Sequence, residues 1–116
     1  MLIRIDPAST APLYEQVAAS VRRAVADGEV SPGSTLPAAR ELAGSLEINV
    51  HTVLRAYALL RDEGLIDLRR RRGAVVLGGA NDRARLAELI GELIGEARRE
   101  GVGVDELTTT IRERYT

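Results

Sequence analysis

Asn49, Val50, His51, Thr52 and Arg55 crowd the first turns of a helix-forming stretch, and Arg69, Arg70, Arg71 and Arg72 follow as an uninterrupted run. These residue types suit recognition rather than bond-making. An imidazole, a hydroxyl and a guanidinium at the start of a helix can hydrogen-bond to base edges and phosphates, and the Thr52 methyl can touch a thymine methyl. Arg55, a turn further on, can reach a phosphate or pair bidentately with guanine. Asn49 reads first as an N-cap, because its side-chain oxygen can accept an N–H two or three residues ahead. Arg40 can reach a phosphate, or pair with Glu41 or Glu47 instead. The four arginines repel one another, so an anionic partner would relieve a repulsion that water and salt only screen. Such runs are usually solvated faces. Coming directly after a candidate reading helix, this one points to phosphate or minor-groove contact, and Gly73 closes it.

Other chemistries lack their parts. His51 is the only histidine and there is no cysteine, so neither a metal site nor a disulfide framework is in prospect. No phosphate-cradling glycine motif, paired catalytic carboxylates or nucleophile–base set stands out, and Glu88, Glu92, Glu96 and Glu100 form a solvated stripe at helical spacing. Neither an enzyme nor a cofactor is expected.

The elements that must hold these residues can be read from periodicity. Leu2, Ile3, Arg4, Ile5 and Asp6 form an extended lead-in. Pro12 suits a helix's first turn, and Leu13, Val17, Val21, Ala24 and Val25 recur at helical spacing up to about Ala26. A second helix spans about Ala38 to Leu46. A third begins after Asn49, buries Val53, Tyr57 and Leu60, and stops near Glu63, with Gly64 as its C′ residue. Residues 65–68 and 74–77 read as two strands joined through Arg69–Gly73. Helix, turn, helix and hairpin in that order make a winged helix-turn-helix over residues 1–77.

Residues 78–116 read as a helical tail. Gly78, Gly79 and Ala80 make a hinge, and a helix from about Asp82 to Glu100 carries Leu86, Leu89, Ile90, Leu93, Ile94 and Ala97. Asp105 is the expected cap of a last helix bearing Leu107, Ile111 and Tyr115. An apolar stripe of this kind invites association, and Ala87, Gly91 and Gly95 would let another helix come close. Folding back on its own domain is the alternative to a dimer interface formed by Leu86, Leu89, Ile90, Gly91, Leu93, Ile94, Leu107 and Ile111. The dimer is favoured, since helix-turn-helix modules commonly read paired half-sites. The predicted fold class is thus mainly α with a small β-hairpin: a winged helix-turn-helix followed by a short two-helix dimerisation segment.

Bulk composition fits this picture without carrying it. The 116 residues have a net charge of −1, and all sixteen basic residues are Arg. Residues 1–77 hold ten Arg against nine acids, and residues 78–116 six against eight. No apolar run approaches the roughly 20 residues of a membrane span, and the MLIRIDP start lacks a signal-peptide layout, so a cytoplasmic protein is expected.

The motifs in combination resemble the GntR family of bacterial transcription regulators. They are PLYEQV at the first helix, the turn Gly28–Gly33, LPAARELA at residues 36–43, NVHTVLRAY at residues 49–57, and EGLI at residues 63–66. The short tail is similar to that of the small YtrA-like subgroup. The resemblance implies a dimeric repressor with Arg40, Asn49, His51, Thr52, Arg55 and the wing around Arg71–Gly73 at the DNA. Four positions depart from the family pattern: Ala38 for a usual Ser, Glu47 for Gly, Val50 for Pro or Arg, and Arg71 for the first glycine of the wing tip. The expected partners are a palindromic double-stranded operator, a second copy of the chain, and a possible small-molecule effector seated between wing and tail. A winged-helix protein-interaction module that does not bind DNA specifically is the alternative from another class.

Overall fold

The computed structural model describes Met1 and residues 3–116; Leu2 of the expected lead-in lies outside the described residues. Five helices and one hairpin follow in order: α1 (Leu13–Ala26), α2 (Ala39–Leu46), α3 (Val50–Asp62), β1 (Ile66–Arg69), β2 (Gly73–Val76), α4 (Ala80–Arg99) and α5 (Val104–Tyr115). α1 and α3 fall where apolar periodicity puts them. Their inner faces, with Val17, Val21 and Val25 against Val53, Ala56, Tyr57 and Leu60, form the centre of the core. Ile3 and Ile5 of the lead-in pack against it. The buried Ser20 hydroxyl donates to the Arg4 carbonyl and accepts the Arg4 amide, each at 3.3 Å, so its burial leaves nothing unpaired.

The α2–α3 turn is tight. Glu47 adopts φ 57° and ψ 45°, the only non-glycine with positive φ among the described residues. The left-handed geometry brings the Ile48 amide to the Ala43 carbonyl at 3.0 Å. α2 begins at Ala39, one residue later than expected, because Ala38 serves as N-cap with no side chain able to cap. At the other end of the unit, Arg22 forks onto both Glu63 oxygens at 2.7 and 2.8 Å, pinning the C-terminus of α3 to α1.

The hairpin is antiparallel, in the register Ile66↔Val76, Asp67↔Val75, Leu68↔Ala74 and Arg69↔Gly73. Both strands lie one residue away from the expected spans. β1 ends at Arg69 and β2 starts at Gly73 because the ladder extends to that pair. A third segment completes the wing. Thr35 bridges Val75, Gly33 donates to Val76 at 2.7 Å, and Leu36 donates to Ala74 at 2.8 Å.

α4 starts two residues earlier than expected. Gly79, at φ 79°, turns the chain directly into Ala80, which with Ala84 is fully buried in the common core. Asn81 Nδ2 donates to the Val25 carbonyl at 2.7 Å, and Arg98 stands 3.7 Å from Glu15. The start of α4 therefore meets the end of α1 and its end meets the start of α1, so the two run antiparallel. The helix does fold back on its own domain, but through its alanines; the leucine–isoleucine row points away. α5 follows the turn at Gly101 and buries none of its residues. Its N-cap is Gly103 rather than Asp105. Asp105 instead lies in the first turn, where a carboxylate favours the positive end of the helix dipole.

Candidate nucleic-acid interface

With Val53, Ala56, Tyr57 and Leu60 committed to the core, the opposite side of α3 is fixed by helical geometry. Asn49, His51, Leu54 and Arg55 are exposed, and Val50 and Thr52 are half-buried. Asn49 Oδ1 accepts the His51 amide at 2.8 Å, so the expected cap forms. The cap orders the first turn and leaves the His51 ring in solvent. Tyr57 fixes the rotation of the helix: its hydroxyl donates to the Pro37 carbonyl at 2.6 Å. Burial, with Glu41 nearby, pushes the phenol up from 10.0 to about 12, so it stays a donor at any physiological pH. Arg40 is exposed in the first turn of α2, and neither ion pair envisaged for it, with Glu41 or Glu47, forms.

Arg55 points outward, yet it is not free. Its guanidinium carbon lies 3.9 Å from the ring centroid of Tyr14, a cation–π stack across α1 and α3. Sequence reasoning missed Tyr14 because nothing in the spacing of two residues 41 apart discloses the contact. It also missed Leu54, a large apolar side chain 47% exposed on the outer face. The buried positions Val53 and Tyr57 already supplied that signal, since a residue next to Val53 on a helix turns about 100° away from it.

The wing separates its four arginines. Arg69 Nε pairs with Asp67 at 3.1 Å, and the Arg72 guanidinium donates to the Gly33 carbonyl at 3.2 Å. Arg70 and Arg71 form no hydrogen bond or ion pair among the described residues and occupy the loop tip. Gly73 takes φ 80°, a conformation that favours glycine, whereas Arg71 does not have positive φ. An arginine at position 71 therefore adds charge without left-handed backbone strain. Hydrogen bonds from Gly33 and Leu36 to β2 tie the wing to the segment that leads through Pro37 into α2, so wing and helices form one connected frame.

The tail presents a second surface. Leu86, Leu89, Ile90, Leu93 and Ile94 are 62, 43, 47, 41 and 40% exposed, Ile111 is 44% exposed, and Leu107 is half-buried. Gly91 and Gly95 border a groove of about 580 Å³ between α1 and α4, with Ile90 and Ile94 on its rim. A Cβ at either glycine would meet nothing within 4 Å, so no helix of this chain exploits their smallness. The groove is lined from α1, α3 and α4, with no wing residue. This groove is separate from the pocket expected between wing and tail. Among the described residues no helix is long and apolar enough to cross a membrane.

A helix-turn-helix whose reading helix is capped, rotationally fixed and followed by a cationic hairpin defines a winged-helix protein of the DNA-binding class. Residues 13–76 match the bacterial regulatory proteins of the gntR family. The chain is 34% identical to the HTH-type transcriptional repressor YtrA of Bacillus subtilis, over 97% of this chain and 91% of that protein. The solved structure of YtrA from Sulfolobus acidocaldarius, a GntR-family transcription factor, aligns at 38% identity with a TM-score of 0.64, covering 82% of this chain and 99% of that one. BusR of S. agalactiae, solved in complex with its busAB-promotor DNA, shares the fold at 19% identity and a TM-score of 0.58, over 90% of this chain and 55% of that one. The chain belongs to the GntR family, with the YtrA type of fold: it is a DNA-binding transcriptional regulator, not an enzyme.

Proposed function

We propose that the protein is a dimeric repressor that reads a palindromic operator, with residues 1–77 binding DNA and residues 78–116 pairing two copies. The observation that carries this reading is the two-sidedness of α3: one face is locked into the core through Val53, Tyr57 and Leu60, and the other offers His51 and Arg55 beside a capped N-terminus. That end enters the major groove, with His51, Val50 and Thr52 at base edges and Asn49 as the cap. Arg40, Arg55 and the wing arginines neutralise phosphates, and Arg70 and Arg71 reach the flanking backbone or minor groove. Acting on chromosomal DNA places the protein in the bacterial cytoplasm.

The dimer follows from solvation. Five large aliphatic side chains of α4, with Leu107 and Ile111 on α5, leave apolar surface in water of the sort that a second copy covers. A symmetric pair presents two α3 helices to half-sites about one DNA turn, roughly 34 Å, apart. Binding-site selection with the full-length protein tests the reading. An inverted repeat should emerge, His51→Ala should change the preferred bases, and Leu89→Glu with Leu93→Glu should give a monomer by light scattering that no longer prefers paired half-sites. A selection that enriches nothing refutes the repressor, and a double variant that remains dimeric refutes the tail interface.

A further inference from the structure

Leu54 stands outside the buried core cluster and is only partly screened from water. It is 47% exposed on the outer side of α3, next to the core residue Val53, which is wholly buried. Its closest helical companions toward the reading end are Val50, four residues back and half-buried, and His51, three back and exposed. Arg55, whose aliphatic stem would be the obvious cover, is drawn instead onto the Tyr14 ring at 3.9 Å. An exposed apolar side chain therefore stands on the flank of α3, between the core and the polar outer residues His51 and Arg55.

We propose that Leu54 is a specificity-determining residue that recognises the C5-methyl group of a thymine in the major groove. This rests on the reading above, that the outer face of α3 enters that groove. A leucine can neither donate nor accept a hydrogen bond. Against the cytosine amino group or the guanine carbonyl it would remove water without supplying a partner, which disfavours those bases. Thymine alone among the four bases presents a methyl group in the major groove, and burying that methyl against Leu54 completes an apolar contact on both sides. Val50, a turn earlier on the same flank, is half-buried and packs against the core, so Leu54 is the more exposed apolar group of the two. Selection here is for the methyl itself, so 5-methylcytosine should satisfy Leu54 where cytosine does not.

The test removes the methyl and nothing else. The half-site selected by the full-length protein is synthesised with deoxyuridine in place of each thymine in turn, and binding is measured by fluorescence anisotropy for the wild type, Leu54→Ala and Leu54→Met. Deoxyuridine at one thymine per half-site should weaken wild-type binding about three- to tenfold, as expected for one methyl group's burial with partial repacking. Leu54→Ala should lose that sensitivity at that position alone, and Leu54→Met, which keeps an apolar reach, should retain most of it. With the A·T pair there replaced by a G·C pair, 5-methylcytosine should recover part of the affinity that cytosine loses. Far-ultraviolet circular dichroism on each variant checks that the surface substitution leaves the fold intact. A selected half-site without thymine, or deoxyuridine costs identical in wild type and Leu54→Ala, overturns the assignment while leaving the repressor standing. A selection that yields no preferred sequence overturns both.

Discussion

Removing Arg70 and Arg71 together should change how binding depends on salt, and the structure fixes by how much. Of the four wing arginines, Arg69 is neutralised by Asp67 at 3.1 Å, and Arg72 is engaged by the Gly33 carbonyl at 3.2 Å. The two at the tip make no hydrogen bond or ion pair among the described residues, so their removal tests phosphate neutralisation without disturbing the wing. Each phosphate contact contributes about 0.9 to the slope of log K against log salt, so Arg70→Ala with Arg71→Ala should flatten it by about 1.8 per wing and about 3.6 per dimer. Over a fourfold rise in salt, that difference is about tenfold in affinity for each wing. The loss should be equal on the selected operator and on unrelated duplex, since phosphates carry no sequence. Fluorescence anisotropy across a salt series reads both quantities. Asp67→Ala with Arg69→Ala, which deletes a neutral pair, is the control and should shift the slope by less than about half a unit. An unchanged slope for the tip variant, or an equal fall for the control, would refute the division of labour drawn from these contacts.

Four further outcomes follow from other contacts. Glu47→Gly should raise Tm by a few degrees, because a left-handed residue bearing a Cβ costs about 1–2 kcal/mol, only partly offset by glycine's extra freedom in the unfolded chain; a lower Tm would contradict this. Tyr57 holds its proton more tightly folded than unfolded, so stability should be full below pH 10 and decline as pH rises from 10.0 to about 12; urea unfolding of Tyr57→Phe should lack that decline. Glu63→Ala strands the Arg22 guanidinium, whose side chain is only 11% exposed, and should cost about 2 kcal/mol in urea unfolding, with Glu63→Gln costing less. Tyr14→Leu should weaken DNA binding about two- to fivefold by releasing Arg55, whereas Tyr14→Phe keeps the ring and should bind as wild type; equal loss in both would assign the effect to the hydroxyl.

What the sequence discloses and what it hides divide along one line. The 3.6-residue period and local punctuation are written in neighbouring residues, so the spans of α1 and α3, the Asn49 cap and the stop at Gly64 can all be read directly. Strand ends depend on a partner far along the chain. The wing's strand spans move by a residue because the ladder runs on to Arg69 and Gly73, and the backing of β2 by Gly33, Thr35 and Leu36 is announced by no local pattern. The beginning of α4 is set likewise, by Ala80 fitting the core and Asn81 reaching Val25. Within the candidate site, periodicity separates the outward His51 and Arg55 from the inward Val53 and Tyr57. It cannot show that Tyr14 holds Arg55 or that Asp67 neutralises Arg69, because those pairings exist only once the chain is folded.

The two faces of α4 connect pairing to reading. Gly91 and Gly95 each cost about 1 kcal/mol of helix propensity relative to Ala, yet nothing of this chain comes within 4 Å of a Cβ placed on either. Intrachain packing therefore gives no reason for glycine there, whereas in the proposed dimer close approach by a helix of the second copy would. Two turns earlier on the same side of the helix there is no such freedom: Ala80 and Ala84 are fully buried, Asn81 grips the end of α1, and α1 is clamped to α3 through Arg22 and Glu63. In a pair joined through the outer face, the route from one reading helix to the other crosses only packed helices and no loop. The distance between the two α3 helices is then a property of α1–α4 packing. On the proposed dimer, base preference would be set by the outer face of α3, and half-site spacing by the small buried residues at the start of α4.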